Sequence, residues 1–144
     1  MIKDVAVPLV FAFSFIVIII FVTYVVQKKK VKRLLKNRTG DIQSFIQSFK
    51  GYDVDLKVLE NVYEMLSDMN SQSSVEFPAM INDDIEDVYG IIGEDLEYYT
   101  EQILKSTDRT WDNYENNPYR GTIITVKDLV LFVNAQPLKT TPPF

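Results

Sequence analysis

The chain has 144 residues and a formal charge of −5, and it contains neither cysteine nor histidine. Without cysteine, disulfides, thiolate metal sites and thiol nucleophiles are excluded. Without histidine, the commonest general base and metal ligand is missing. No P-loop, nucleophile elbow or dinucleotide fingerprint occurs in the sequence. We therefore predict a non-enzymatic protein with no catalytic residues and no cofactor.

Charge is distributed unevenly along the chain. Residues 28–38 carry seven bases, which are Lys28, Lys29, Lys30, Lys32, Arg33, Lys36 and Arg38. From Thr39 onward there are 19 acids against 7 bases, a net charge of −12. Between Val58 and Leu104 there are twelve acids and neither Lys nor Arg. Because so negative a surface repels nucleic acid, we expect no nucleic-acid partner.

An apolar run without charges extends over the 22 residues from Val5 to Val26. A membrane span needs roughly 20 such residues, so the run predicts one transmembrane helix. It is longer than the apolar region of a signal peptide, lacks an A-x-A-like cleavage site and is followed by its positive charges. By the positive-inside rule the C-terminal side is cytoplasmic. We therefore expect a single-pass protein of the bacterial inner membrane, with the lipid bilayer as one partner.

The domain organisation follows from these shifts in composition. We predict a transmembrane anchor over 1–27, a basic juxtamembrane linker over 28–40, an acidic helical domain over 41–137 and a flexible tail over 138–144. The basic linker is a topology signal, and recruitment of anionic lipid is its alternative interpretation.

Four segments of the acidic domain have apolar residues at helical spacing, which predicts an all-α fold. The predicted helices are 41–49, 55–69, 94–106 and one that follows the capping-box pattern Thr125-x-x-Asp128 and ends near Asn134. Ile85 to Tyr89 predicts a short turn before Gly90. Thr107 to Gly121 predicts an irregular, aromatic-rich segment.

Two motifs resemble those of acyl carrier proteins. They are Y-G-x-x-G-E-D-L over Tyr89–Leu96, at a helix start, and T-V-x-D-L-x-x-F-V-N over Thr125–Asn134, in the closing helix. The resemblance covers about Asp55 to Asn134. It is closest to an uncharacterised bacterial acyl-carrier-like family that lacks the phosphopantetheine serine, and it implies a small acyl-carrier-like helical bundle.

The resemblance places Asp95 where a carrier has the serine that bears the phosphopantetheine arm. No serine lies between Val75 and Lys105. Without that hydroxyl the arm has no attachment point, so the resemblance implies a domain that carries no acyl thioester.

The resemblance also implies an acidic helix that docks basic partner proteins. The candidate partner-binding residues are Glu94, Asp95, Glu97 and Glu101 on the helix, and Asp83, Asp84, Glu86 and Asp87 before it. The alternative is a solvated face that only keeps the domain soluble. Ordinary surfaces intersperse the two signs, so the long stretch without bases strengthens the docking interpretation. The two interpretations then have equal weight.

Two further clusters have competing interpretations. Asp83 to Asp87 could hold a hard cation, but it lacks the EF-hand ligand spacing, so we predict no metal site. The aromatic region with Trp111, Tyr114 and Tyr119 either packs into the core or forms a recognition loop, and packing is favoured because large aromatics are usually buried.

The leading functional hypothesis is a membrane-tethered, non-enzymatic adaptor that docks a basic protein partner through its acidic helix. The alternatives are a degenerate carrier or regulatory subunit in membrane lipid or acyl metabolism, and a small immunity or accessory protein.

Overall fold

The computed structural model describes residues 2–71, 76–121 and 123–140, with side chains described from Phe13 onward except at Gln27. The described chain is 61% helical and has no strand, which is consistent with the predicted all-α class. It divides into two compact units, and the boundary in the chain falls between Asn37 and Arg38.

The first unit consists of one long helix, α1 (Ile2–Leu35). Lys32 and Arg33 lie in its last turn, where positive charge complements the helix dipole. The helix extends to Leu35 and so includes most of the basic residues after Val26. A linker rather than a helix was predicted for 28–40, and the structure differs from the prediction there. Between Phe13 and Val26, the large apolar side chains other than Val25 are exposed to solvent.

The prediction of a membrane span over Val5–Val26 is wrong. Among the residues that the structure describes, no helix is both long enough and apolar enough to cross a membrane. The beginning of the predicted span lies outside the described side chains. The predicted single-pass topology and inner-membrane localisation depended on this span and are therefore not supported.

The second unit begins at Arg38, three residues before the predicted domain start at Asp41. Its helices are α2 (Ile42–Ser48), α3 (Leu56–Asn70), α4 (Ile85–Tyr89), α5 (Glu94–Ser106) and α6 (Val126–Asn134), with a 3₁₀ turn at Tyr114–Asn116. These bounds agree with the helices that periodicity predicted to within one or two residues. The fold contains α4 as an extra short helix beside the four that were predicted.

Helix α3 lies at the centre of this unit and packs against α2, α4, α5 and α6. Its buried face carries Val58, Leu59, Val62, Tyr63 and Leu66. These residues recur at helical spacing, so one stripe of α3 is apolar while the other carries its charges. The core is completed by Phe77, Ile85, Ile103, Leu104, Leu129 and Phe132, all at most 2% exposed.

The helix starts follow the signals that the sequence contains. Asp41, Asp55 and Asp84 each cap a helix by accepting a backbone N–H from its first turn. Thr125 and Asp128 form the predicted capping box at α6. Each cap satisfies a backbone donor that would otherwise lack a helical partner. Side-chain chemistry therefore sets where these elements begin.

Two residues after α6 contact the segment that follows α5. Leu138 pairs with Arg109 in an isolated bridge, and Lys139 donates its backbone N–H to the carbonyl of Asp108 at 2.7 Å. Leu138 and Lys139 of the predicted flexible tail are thus tied to the segment after α5. Residues 141–144 lie outside the described part of the chain.

Candidate functional site

The eight predicted partner-binding carboxylates fall into two groups in the structure. Five are exposed to solvent, and these are Glu86, Asp87, Glu94, Asp95 and Glu97. The other three are engaged in structural contacts, and these are Asp83, Asp84 and Glu101. We refer to the five exposed residues as the acidic face.

Asp83 does not lie on the surface where the sequence placed it. Its side chain is 8% exposed and accepts two hydrogen bonds from Arg38, at 2.6 and 2.7 Å. The Tyr89 hydroxyl and the Met80 backbone N–H also donate to it, at 2.7 and 2.9 Å. A buried carboxylate so fully partnered is unavailable to another protein, so Asp83 is a structural residue.

The same cluster shifts two pKa values. Burial raises the pKa of Tyr89 well above its ordinary value, and the neighbouring charge of Asp83 raises it further. Burial lowers the pKa of Arg38, but hydrogen bonding and charge attraction to Asp83 outweigh this effect, and the net pKa is raised. Arg38 therefore stays charged and Tyr89 stays protonated in the folded chain.

Asp84 and Glu101 also have local partners. Asp84 caps α4 by accepting the backbone N–H of Asp87 at 2.8 Å. Glu101 pairs with Lys105 one helical turn later, at 2.6 Å. Both retain partial exposure, but their charges are already compensated or committed to a helix end. They contribute less to an external binding surface than the five carboxylates of the acidic face.

The acidic face is presented by a sharp turn between α4 and α5. Gly90 ends α4 with φ +71° and Gly93 precedes α5 with φ +50°, conformations that favour glycine. Glu94, Asp95 and Glu97 then occupy the first turn of α5, where negative charge is stabilised by the helix dipole. None of the five carboxylates of the acidic face forms an ion pair with a described Lys or Arg.

Two large side chains with apolar surface lie next to these charges. Ile92 is 56% exposed in the turn before α5, and Tyr98 is 57% exposed on the helix itself. Tyr98 lies one turn after Glu94 and Asp95, so it shares their side of α5. The acidic face is thus interrupted by apolar surface that a partner could cover.

A groove opens beside the same helix start. Its volume is about 510 Å³, and it is lined by Leu96, Thr100, Trp111, Tyr114, Ile123 and Phe132. Gly93 and Glu97 complete the wall on the α5 side. The sequence did not predict this groove, because its lining comes from α5, the aromatic segment and α6. The sequence allows two interpretations of Trp111 and Tyr114, packing in the core or a recognition loop.

The aromatic segment is partly buried and partly exposed. Trp111, Tyr114 and Phe132 form a cluster with ring centroids 5.9 to 6.1 Å apart. Phe132 is 1% exposed and Tyr114 is 39% exposed, so the cluster runs from the core to the surface. Arg120 covers the Tyr114 ring at 4.7 Å and pairs with Glu115. The cluster forms the aromatic wall of the groove.

No group of carboxylates able to hold a metal ion occurs in the part of the chain that the structure describes. Asp83 and Asp84, which head the cluster considered as a cation site, are occupied by Arg38 and by the backbone of α4. The arrangement presents charge and apolar surface to solvent. It brings together no nucleophile and general base.

No protein-family model matches the chain, and neither a curated protein nor a solved structure matches it. The acyl-carrier resemblance therefore stays a prediction, which rests on the two sequence motifs that carry it.

Proposed function

We propose that the chain is a non-enzymatic interaction protein that docks a basic protein partner on the acidic face. The observation that carries this proposal is the set of exposed carboxylates on α4 and α5 without an ion pair in the described chain, next to exposed Ile92 and Tyr98. Charge of one sign steers an oppositely charged partner and fixes its orientation. Exposed aromatic and aliphatic side chains supply the contacts that retain it.

The rival explanation is that these acids only solvate the domain. A solvating surface normally mixes both signs and avoids exposed apolar groups. Helix α3 also carries three acids one turn apart, Glu60, Glu64 and Asp68. The acidic face differs because it combines charge, exposed apolar side chains and a groove at one helix start. This combination favours docking.

The amino-acid composition supports the non-enzymatic part of the proposal. The chain contains no His and no Cys. Among the described residues, the largest pKa shift is the rise at Tyr89, which is buried against Asp83 and Arg38 and does not line the groove. A shifted group often marks a catalytic site when it lines a cleft. Here the shift belongs to the core.

Charge reversal tests the proposal directly. The variant Glu94→Lys/Asp95→Lys/Glu97→Lys should lose at least about tenfold in affinity for its partner, measured by quantitative pull-down with the full chain. The matched control Glu60→Lys/Glu64→Lys/Asp68→Lys changes the net charge equally on α3 and should keep binding. Equal loss in both variants would mean that only total charge matters, and unchanged binding in both would overturn the proposal.

A second candidate is a regulatory subunit or degenerate carrier in acyl metabolism. The groove favours it, because an apolar cavity of about 510 Å³ opens at the helix start that resembles the carrier motif. Cavities of this size accommodate small apolar ligands. Titration of the full chain with a long-chain fatty acid, followed by the emission of Trp111 in the groove wall, tests this candidate. A saturable change would support it, and no change would remove it.

A further inference from the structure

The groove and the acidic face share one residue. Glu97 belongs to the first turn of α5 and also lines the groove wall. A partner that contacts the carboxylates of α5 is therefore placed at the mouth of the groove. The two features form one continuous surface, with charge at the rim and apolar side chains inside.

The interior of the groove is chemically uniform. Apart from Glu97, its side chains are aliphatic or aromatic, with the hydroxyls of Thr100 and Tyr114 and the indole N–H of Trp111 as their polar groups. The Thr100 hydroxyl already donates to the carbonyl of Leu96 at 2.6 Å. The floor is formed by Phe132, which belongs to the packed core. Burying apolar side chains of a partner against such a lining removes apolar surface from water, which favours binding.

We infer that the groove receives the apolar side chains of a basic amphipathic helix from the partner protein, while its Lys and Arg side chains contact the acidic face. This inference rests on the proposed function and names the chemistry of the partner. In the helix-in-groove mode, apolar residues three or four positions apart enter an apolar groove. The carboxylates at the rim select a helix whose polar residues are basic, by charge complementarity.

A peptide selection tests the inference without knowledge of the natural partner. Random twelve-residue peptides displayed on phage are selected against the immobilised full chain. The expected sequences carry several Lys or Arg and two large apolar residues three or four positions apart. Selected peptides that lack tryptophan are then synthesised and titrated. Trp111 reports binding in the groove, because it lines the groove and is the single tryptophan of the chain.

A matched pair of variants separates the groove from the charges. Ile123 lines the groove, whereas its neighbour Ile124 is 62% exposed and does not. Ile123→Glu should lower the peptide affinity about tenfold, since an apolar contact is lost. Ile124→Glu adds the same charge and should leave binding unchanged or slightly stronger. If rim charge alone bound the peptide, Ile123→Glu would also bind as well as the unmodified chain or better.

Changes in the peptide provide a test that does not depend on how the variants fold. Alanine in place of the two apolar peptide residues should reduce affinity by at least about tenfold. Basic peptides without apolar spacing would overturn the groove inference and leave the proposed function standing. Apolar peptides without bases would overturn both the inference and the basic partner. A lack of enrichment would also overturn both the inference and the basic partner. If the peptides compete with self-association of the chain, the groove binds a second copy, and the inference is overturned.

Discussion

Arg38 and Asp83 form a buried, two-pronged ion pair across 45 positions of sequence, with Nη2 2.6 Å from Oδ1 and Nη1 2.7 Å from Oδ2. The guanidinium also lies over the Phe77 ring at 4.4 Å and donates to the Pro78 carbonyl. The first residue of the second unit is thereby joined to the segment that leads into α4. Because α4 carries Glu86 and Asp87, this pair helps to fix the position of the acidic face.

Removal of Arg38 should destabilise the second unit strongly. Arg38→Ala leaves Asp83 buried without its counter-charge, which typically costs about 3–5 kcal/mol. The free energy of unfolding, measured by urea denaturation, should fall by about this amount. Arg38→Lys should restore only part of it, because a lysine cannot form the two parallel hydrogen bonds.

The control for Arg38 is Arg120, which pairs with Glu115 on the surface. Arg120→Ala removes a solvent-exposed ion pair and should leave the urea midpoint nearly unchanged. A similar loss in the Arg38 and Arg120 variants would show that burial of the Arg38–Asp83 pair has no special effect.

Stability should fall at alkaline pH. The folded chain raises the pKa of Tyr89 through burial and the charge of Asp83, and burial also raises the pKa of Tyr63. Between the unfolded value of about 10 and the higher folded value, the folded chain retains protons that the unfolded chain releases. The free energy of unfolding therefore decreases as pH rises above about 10.

Urea midpoints between pH 8 and pH 11 measure this dependence. Tyr89→Phe should flatten the decline, since the group that releases the proton is gone. The matched control Tyr98→Phe alters a side chain that is 57% exposed and should keep the original profile. Midpoints that stay constant up to pH 11 in the unmodified chain would contradict the assignment of Tyr89 to the core.

The capping box of α6 should contribute measurably to stability. Thr125 accepts the backbone N–H of Asp128, while the Asp128 carboxylate accepts the backbone N–H of Thr125 at 2.8 Å. Thr125→Ala removes one half of this exchange and should lower the free energy of unfolding by about 0.5–2 kcal/mol. Thr125→Ser keeps the hydroxyl and should behave like the unmodified chain. Equal stability of the two variants would mean that the cap contributes nothing.

The resemblance to carrier proteins has a chemical test. When the chain is co-expressed with a phosphopantetheine transferase, its intact mass should not increase, since Asp95 has no hydroxyl to accept the arm. Asp95→Ser supplies that hydroxyl, and a mass increase equal to the arm is then expected if the resemblance extends to transferase recognition. A modified wild-type chain would refute the placement of Asp95. An unmodified Asp95→Ser chain would count against the resemblance.

Local signals in the sequence predicted the helices of the second unit well. The bounds of α5 were predicted as Glu94 to Ser106, and the Thr125–Asp128 capping box was recognised from its spacing. Such features depend on residues within one or two turns, so they can be seen in a single sequence. The prediction of a membrane span is wrong, since no described helix is both long enough and apolar enough to cross a membrane.

Features that depend on distant residues could not be predicted. Arg38 looked like one more base of a linker, because its partner Asp83 lies in another segment. The groove escaped prediction for the same reason, since Leu96, Trp111 and Phe132 meet only in the folded chain. Of the predicted acidic residues, the structure leaves those of the acidic face exposed and turns Asp83 inward.

Site-directed photo-crosslinking in cells tests the central claim most directly. Benzoylphenylalanine in place of Tyr98 lies among the carboxylates of α5, and the same group in place of Glu64 on α3 is the control. We predict that the probe at position 98 crosslinks a protein through a Lys- or Arg-rich segment. This product should disappear with Glu94→Lys/Asp95→Lys/Glu97→Lys, and the control probe should not form it. A product that forms equally from both positions, or that survives the charge reversal, would contradict docking through the acidic face.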